Sequence, residues 1–142
     1  AQENSGNIPW CDLIHMGDTR CYRLGAKPAD CEIISQDHSL TGDMVQGGYI
    51  EVHEIPETHG HNVITRSVGM DEKPTADVTT IQISKGERFL LCCDGVWGPL
   101  HTEQGLWMPN AKLSDQDQVD AWTDKALSEG STDNCSALLL EV

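Results

Sequence analysis

Asp77-Val78-Thr79-Thr80-Ile81-Gln82-Ile83, the turn Ser84-Lys85-Gly86-Glu87 and the run Arg88-Phe89-Leu90-Leu91-Cys92-Cys93 decide how this chain folds. The first segment alternates and is β-branched, the pattern of a half-buried strand, and the last is apolar throughout, the pattern of a central one. Asp94-Gly95 follows at that strand's end. Downstream, Ser114 to Glu129 predicts a helix: Ser114 can cap it, acidic residues fill its first turn, Val119, Trp122 and Ala126 mark one face, and Gly130 stops it. Ala137 to Val142 reads as a closing apolar strand. Upstream, Cys11 to Met16 and Cys21 to Leu24 read as two strands joined by the turn Gly17-Asp18-Thr19-Arg20, which predicts a hairpin. Cys31 to Ser35 is a further short strand. Ala1 to Trp10 reads as a loop, and residues 36–62, rich in Gly, His, Asp and Glu, as a mobile surface segment with room for one short helix. Strands outnumber helices, so the class is α+β.

The length of 142 residues suits one domain. Nine Lys and Arg stand against 23 Asp and Glu, giving a formal charge of −14. That balance argues against nucleic-acid and anionic-membrane partners, which are gripped by clustered Lys and Arg. No apolar run is long enough to span a bilayer, and no basic-then-apolar leader is present. Six Cys could form a disulfide framework. Yet Cys92 and Cys93 are adjacent inside an apolar strand and no pair has C-x-x-C spacing, so the expectation is reduced, mostly buried thiols and a cytoplasmic setting.

Carboxylates at strand ends and turns are the chemical theme. Asp18 lies in a Gly-flanked turn, Asp94 follows a buried strand, and Asp133 lies in Gly130-Ser131-Thr132-Asp133-Asn134 just before the last strand. Oxygen donors so placed suit Mg²⁺ or Mn²⁺. Taken singly, each fits ordinary turn chemistry better than a ligand role; only their order and setting together favour a metal. His53, His59 and His61 are spaced by five residues and then one, which matches no zinc motif and reads as solvated histidine. Arg20 and Arg66 can bind phosphate or pair with local carboxylates. Trp97, Trp107 and Trp122 read as core or loop anchors. No G-x-S-x-G elbow and no C-x5-R loop is present, which points away from a protein nucleophile.

As a set, five pieces in order resemble the C-terminal half of the metal-dependent Ser/Thr protein phosphatases, the PPM or type 2C family. They are Gly17-Asp18-Thr19-Arg20, Gln36-Asp37-His38-Ser39-Leu40, Asn62-Val63-Ile64-Thr65-Arg66-Ser67-Val68-Gly69, Cys93-Asp94-Gly95-Val96-Trp97 and Gly130-Ser131-Thr132-Asp133-Asn134. The resemblance implies a type-2C-phosphatase-like sandwich of two antiparallel sheets flanked by helices, with residues 1–142 the C-terminal part of a single catalytic domain. It implies hydrolysis of phosphoserine and phosphothreonine on protein substrates with two or more Mn²⁺ or Mg²⁺ ions. Carried over by position, Asp94 and Asp133 would be metal ligands and Asp18 the acidic residue of a third, weaker site; His38 and Arg66 would have structural or flap-adjacent roles. The family's D-G-x-x-G motif, its phosphate-binding Arg and its ED-type segment are not found in this sequence, and Gly98 stands where the family commonly has another Asp. The chain therefore reads as holding about half of a metal centre: a fragment, a chain completed by an N-terminal half or second chain, or a pseudophosphatase that binds phosphoproteins without hydrolysis. A half-sandwich also leaves apolar strand faces to be covered by a partner.

Overall fold

The computed structural model describes residues 9–60 and 62–142. Its frame is a four-stranded antiparallel sheet in the order β3 (Glu32–Ile33), β2 (Arg20–Arg23), β5 (Arg88–Cys92), β8 (Ala137–Glu141). As the apolar run demands, β5 is central, with Leu90 opposite Tyr22 on one side and Leu139 on the other. Side chains alternate across the sheet, so Tyr22, Leu90 and Leu139 share one face. On that face lie α2 (Asp94–Leu100) and α3 (Asp115–Ser128), and Tyr22, Leu90, Val96, Trp97, Leu100, Trp122 and Ala126 form the core.

The α3 helix is built as its sequence predicts. The Ser114 hydroxyl accepts the Asp117 N–H at 3.2 Å, and Gly130, at φ +92°, ends the helix where a side chain would be strained. Trp122 is fully buried and its indole N–H donates to the Trp107 carbonyl at 2.9 Å.

The other sheet joins β1 (Trp10–His15) to β4 (Asp77–Gln82), antiparallel, with Ile14 opposite Val78. This corrects one expectation: the segments flanking Gly17–Arg20 do not make a hairpin. There, and at the turn over 84–87, the chain crosses from one sheet to the other. Turn chemistry fixes where the chain reverses, whereas packing selects which strand it then joins. Trp10 lies in β1 and not in a leading loop; the remainder of that predicted loop, residues 1–8, is outside the described residues.

The 36–62 stretch is more ordered than its composition suggests. It carries α1 (Leu40–Gln46), capped by the Ser39 hydroxyl on the Gly42 N–H at 3.0 Å, and a 3-10 helix over Val52–Glu57 with Ile55 buried. A small ribbon of β6 (His101–Thr102) and β7 (Gly105–Leu106) completes the fold. All six cysteines are free; only Cys21 and Cys92 are fully buried, fewer than expected, and burial pushes their thiols up to about 11 and about 12. Among the described residues, no helix is long and apolar enough to cross a membrane.

Candidate active site

Antiparallel order puts the start of β2, the end of β5 and the start of β8 at the same end of the large sheet. Asp18 precedes β2, Asp94 follows β5 and Asp133 precedes β8, so the topology delivers all three to one place. They line an open cleft of about 510 Å³, together with Ile64 and with Ile55 from the segment read as a mobile surface stretch.

The two downstream acids are held by backbone contact. A Cβ on Gly95 would lie 2.3 Å from the Asn134 carbonyl oxygen and 3.3 Å from the Asp133 Cβ, so only glycine lets these loops touch. The Ser131 hydroxyl donates to the Gly95 carbonyl at 2.7 Å, and the Cys93 N–H donates to the Ser136 carbonyl at 3.1 Å. Each carboxylate also takes the N–H of the residue after it: Asp94 Oδ1 from Gly95 at 2.9 Å, Asp133 Oδ1 from Asn134 at 2.7 Å. Asp94 is half-buried and Asp133 is exposed.

Asp18 is positioned by its backbone. The Trp97 indole N–H donates to the Asp18 carbonyl at 2.8 Å. The preceding Gly17, at φ +104°, is gripped twice by His38, whose N–H donates to the Gly17 carbonyl at 2.8 Å and whose Nδ1 accepts the Gly17 N–H at 3.1 Å. Burial first, then the Asp94 and Asp37 carboxylates, raise the Asp18 carboxyl above its ordinary value. A cation in the cleft would reverse that effect.

Two charged networks support this end of the sheet. Arg20, only 2% exposed, places Nη2 2.6 Å and Nε 3.0 Å from the Asp37 carboxylate, and Asp37 is itself 7% exposed. The Arg20 Nη1 donates to the Tyr22 hydroxyl at 3.2 Å, and the guanidinium stacks on Trp97 at 3.5 Å. Gly42 of α1 packs so closely on Asp37 that a Cβ would meet the Asp37 carbonyl oxygen at 2.3 Å. Arg20 thus pairs with a carboxylate and is not offered to phosphate. The second network joins His38 and Arg66 to Asp77, at 2.8 Å and 2.6 Å. Because His38 Nδ1 accepts from Gly17, Nε2 carries the proton and donates to Asp77. These hydrogen bonds, His38 first, hold the Asp77 carboxyl below its ordinary value.

Sequence reasoning missed Asp77 as the partner of both motif residues, since it reads only as the start of a strand. It also missed α2. Of the histidines considered for zinc, His61 lies outside the described residues. Among the described residues, no three His, Cys, Asp or Glu side chains come together to hold a metal ion. The cleft therefore offers oxygen donors of the kind a hard divalent cation takes, without a complete ligand set.

No protein-family model matches the chain. It is 26% identical over 129 residues to the serine/threonine phosphatase stp of Listeria welshimeri, across 91% of this chain and 50% of that protein. It is 28% identical over 134 residues to the serine/threonine protein phosphatase PstP of Mycobacterium tuberculosis, across 92% of this chain and 24% of that protein. The structure superposes on the serine/threonine phosphatase Stp1 from Staphylococcus aureus with a TM-score of 0.82 at 23% identity, covering 94% of this chain and 52% of that one. The chain resembles the C-terminal half of the PPM, type 2C, serine/threonine phosphatases. It spans about half the length of the Listeria relatives it matches. The PPM-like α+β fold is the one its motifs imply. A PstP catalytic domain that carries two manganese ions matches this chain with a TM-score of 0.61 at 24% identity, over 93% of this chain.

Proposed function

We propose that residues 1–142 form the C-terminal part of a single type-2C-phosphatase-like catalytic domain that hydrolyses phosphoserine and phosphothreonine on proteins. The observation that carries this reading is the meeting of Asp94-Gly95 with Asp133-Asn134 at one end of the sheet, with Asp18 in the same cleft. Asp94 and Asp133 would hold Mn²⁺ or Mg²⁺, and Asp18 a further, weaker ion. Such ions, when bound, supply an activated water and neutralise phosphoryl oxygens. The chain's own part is to fix the donors: Gly95 allows the two loops to touch, Ser131 ties them, and Trp97 and His38 hold the Asp18 turn from behind. The likeness to phosphatases in sequence and fold supports the reaction class, and the free thiols support a cytoplasmic setting. In this reading the remaining donors would come from the half of the relatives that this chain does not match.

The test has two parts. Mn²⁺ binding by this chain is followed by electron paramagnetic resonance for the native sequence, Asp94→Asn and Asp133→Asn. Phosphothreonine-peptide hydrolysis is then measured for this chain alone and for the chain joined to the N-terminal half of the Listeria relative. Mn²⁺ binding that each substitution weakens at least tenfold, with turnover only in the joined protein, is the expected result. Turnover that survives loss of both carboxylates would defeat the assignment. Binding without turnover in the joined protein would favour the non-hydrolysing, phosphoprotein-binding alternative.

A further inference from the structure

Ile55 of the 3-10 helix lines two cavities: the acidic cleft, and a second of about 260 Å³ walled by Ile33 of β3, Val45 of α1 and Val52. That volume falls just under the usual span of a small-molecule site, about 300–1,000 Å³. Its floor is polar and buried: Arg20, Ser35 and Asp37 line it and are 2%, 7% and 7% exposed. The hydrogen bonds there leave donors unused. Arg20 gives its Nε hydrogen and one on Nη2 to Asp37, and one on Nη1 to the Tyr22 hydroxyl. One N–H on each Nη atom therefore has no acceptor among the described residues. The Ser35 hydroxyl accepts the Cys21 N–H at 2.9 Å and donates to nothing among the described residues. Gln36 and Gln46, which also line the cavity, use their amides on each other at 2.6 Å. Buried donors without acceptors are unfavourable until an oxygen reaches them. The guanidinium charge, meanwhile, is cancelled by Asp37 at 2.6 Å, so an anion would meet that carboxylate and a cation the guanidinium.

We propose that this cavity is a binding site for a small, uncharged, mainly apolar molecule bearing one carbonyl-type oxygen, and that its occupancy is transmitted to the acidic cleft. The apolar walls take the body of the guest, and Ser35 and Arg20 take its oxygen. Transmission has two direct routes. Ile55 is the wall common to both cavities. The Arg20 guanidinium stacks on Trp97 at 3.5 Å, and the Trp97 indole N–H holds the Asp18 carbonyl at 2.8 Å. The site goes beyond the phosphatase reading and does not depend on it.

The probe is benzamide, with toluene (no oxygen) and benzoate (an anion) as counterparts, titrated into this chain and followed by nuclear magnetic resonance. Benzamide is expected to bind saturably with a Kd of about 1 mM or below, shifting the Val45, Val52 and Ile55 methyls and, across the wall, the Trp97 indole N–H. Toluene and benzoate should each bind at least tenfold more weakly. Val45→Phe, which fills the cavity, should abolish binding, and Ser35→Ala should weaken it at least threefold, with the Trp122 indole resonance reporting in each that the core is intact. No saturable binding of benzamide, or shifts that fall elsewhere, overturns the proposal. Toluene or benzoate binding as tightly as benzamide overturns the assigned chemistry, and an unmoved Trp97 overturns the transmission. In the chain joined to the N-terminal half of the Listeria welshimeri relative, retained binding supports the site, whereas its loss assigns the cavity to a protein segment and overturns it.

Discussion

Asp37→Asn removes the charge that balances a guanidinium 2% exposed to solvent, while changing the side chain's volume hardly at all. In the native chain the Asp37 carboxylate receives Arg20 Nη2 at 2.6 Å and Nε at 3.0 Å. Breaking a buried pair from one side costs about 3–5 kcal/mol, because the surviving ion is left uncompensated. Here the Trp97 face at 3.5 Å and the Tyr22 hydroxyl remain and offset part of that, which sets the expectation at about 3 kcal/mol. For a chain of this size that corresponds to a fall in Tm of roughly 12 °C. Urea unfolding followed by tryptophan fluorescence reads it directly, since Trp97 and Trp122 are both buried. The double substitution Arg20→Met with Asp37→Leu removes both charges, and its stability should lie within about 1 kcal/mol of the native chain. Tyr22 keeps a partner in that variant, His101 Nδ1 at 3.0 Å. A loss below about 1 kcal/mol for Asp37→Asn, or a double variant worse than the single, would refute the reasoning.

Gly95→Ala should cost about 2–3 kcal/mol and weaken Mn²⁺ binding with it, because the added methyl meets the Asn134 backbone and must push the Asp133 loop away; unfolding curves and spin-resonance titration check both. Burial, then the Arg20 and His53 charges, lowers His101 to about 4 from 6.5, so the fold requires its neutral form. Its stabilising contribution is complete above pH 6.5 and is lost as pH falls from there through 4, by on the order of 2 kcal/mol after allowing for partial exposure; nuclear magnetic resonance should show this imidazole still neutral at pH 5.5. Asp77 has the same sign for a different reason. Its carboxyl is lowered by His38 and Arg66, so the clamp contributes above the ordinary carboxylate range and is lost in stronger acid, and Asp77→Asn should flatten that limb of the stability profile. Ser114→Ala should cost about 1 kcal/mol by thermal unfolding, the usual value of a helix cap.

How legible these features were follows from how local their causes are. The α3 helix announces itself through Ser114, Trp122 and Gly130, all within one segment, and the observed ends agree. The β5 run declares a central strand because both of its faces must be apolar. Pairing is different. Nothing in Gly17–Arg20 or Ser84–Glu87 distinguishes a hairpin from a crossover between stacked sheets, since the deciding contacts come from strands elsewhere in the chain. The same holds at the candidate site. Asp18, Asp94 and Asp133 could be picked out by their positions at turns and strand ends, and the topology gathers them in one cleft. Asp77 could not, because its meaning lies in His38 and Arg66, 39 and 11 residues away. The 36–62 segment misled through its polarity: Asp37, His38, Ser39 and Thr41 are buried polar anchors, and Ile55 with the partly buried Val45, Ile50 and Val52 is too sparse an apolar set to leave a periodicity to read.

The stacking of Arg20 between Asp37 and Trp97, with Trp97 in turn holding the Asp18 carbonyl, ties together three motifs that are far apart in the chain. Positions 20, 37 and 97 are therefore not free to drift one at a time. A lineage that gives up the acid at 37 must shed the guanidinium at 20 in near-concert, and the indole at 97 then loses its reason to stay. Comparative genomics of homologous chains should find the trio inherited or abandoned together.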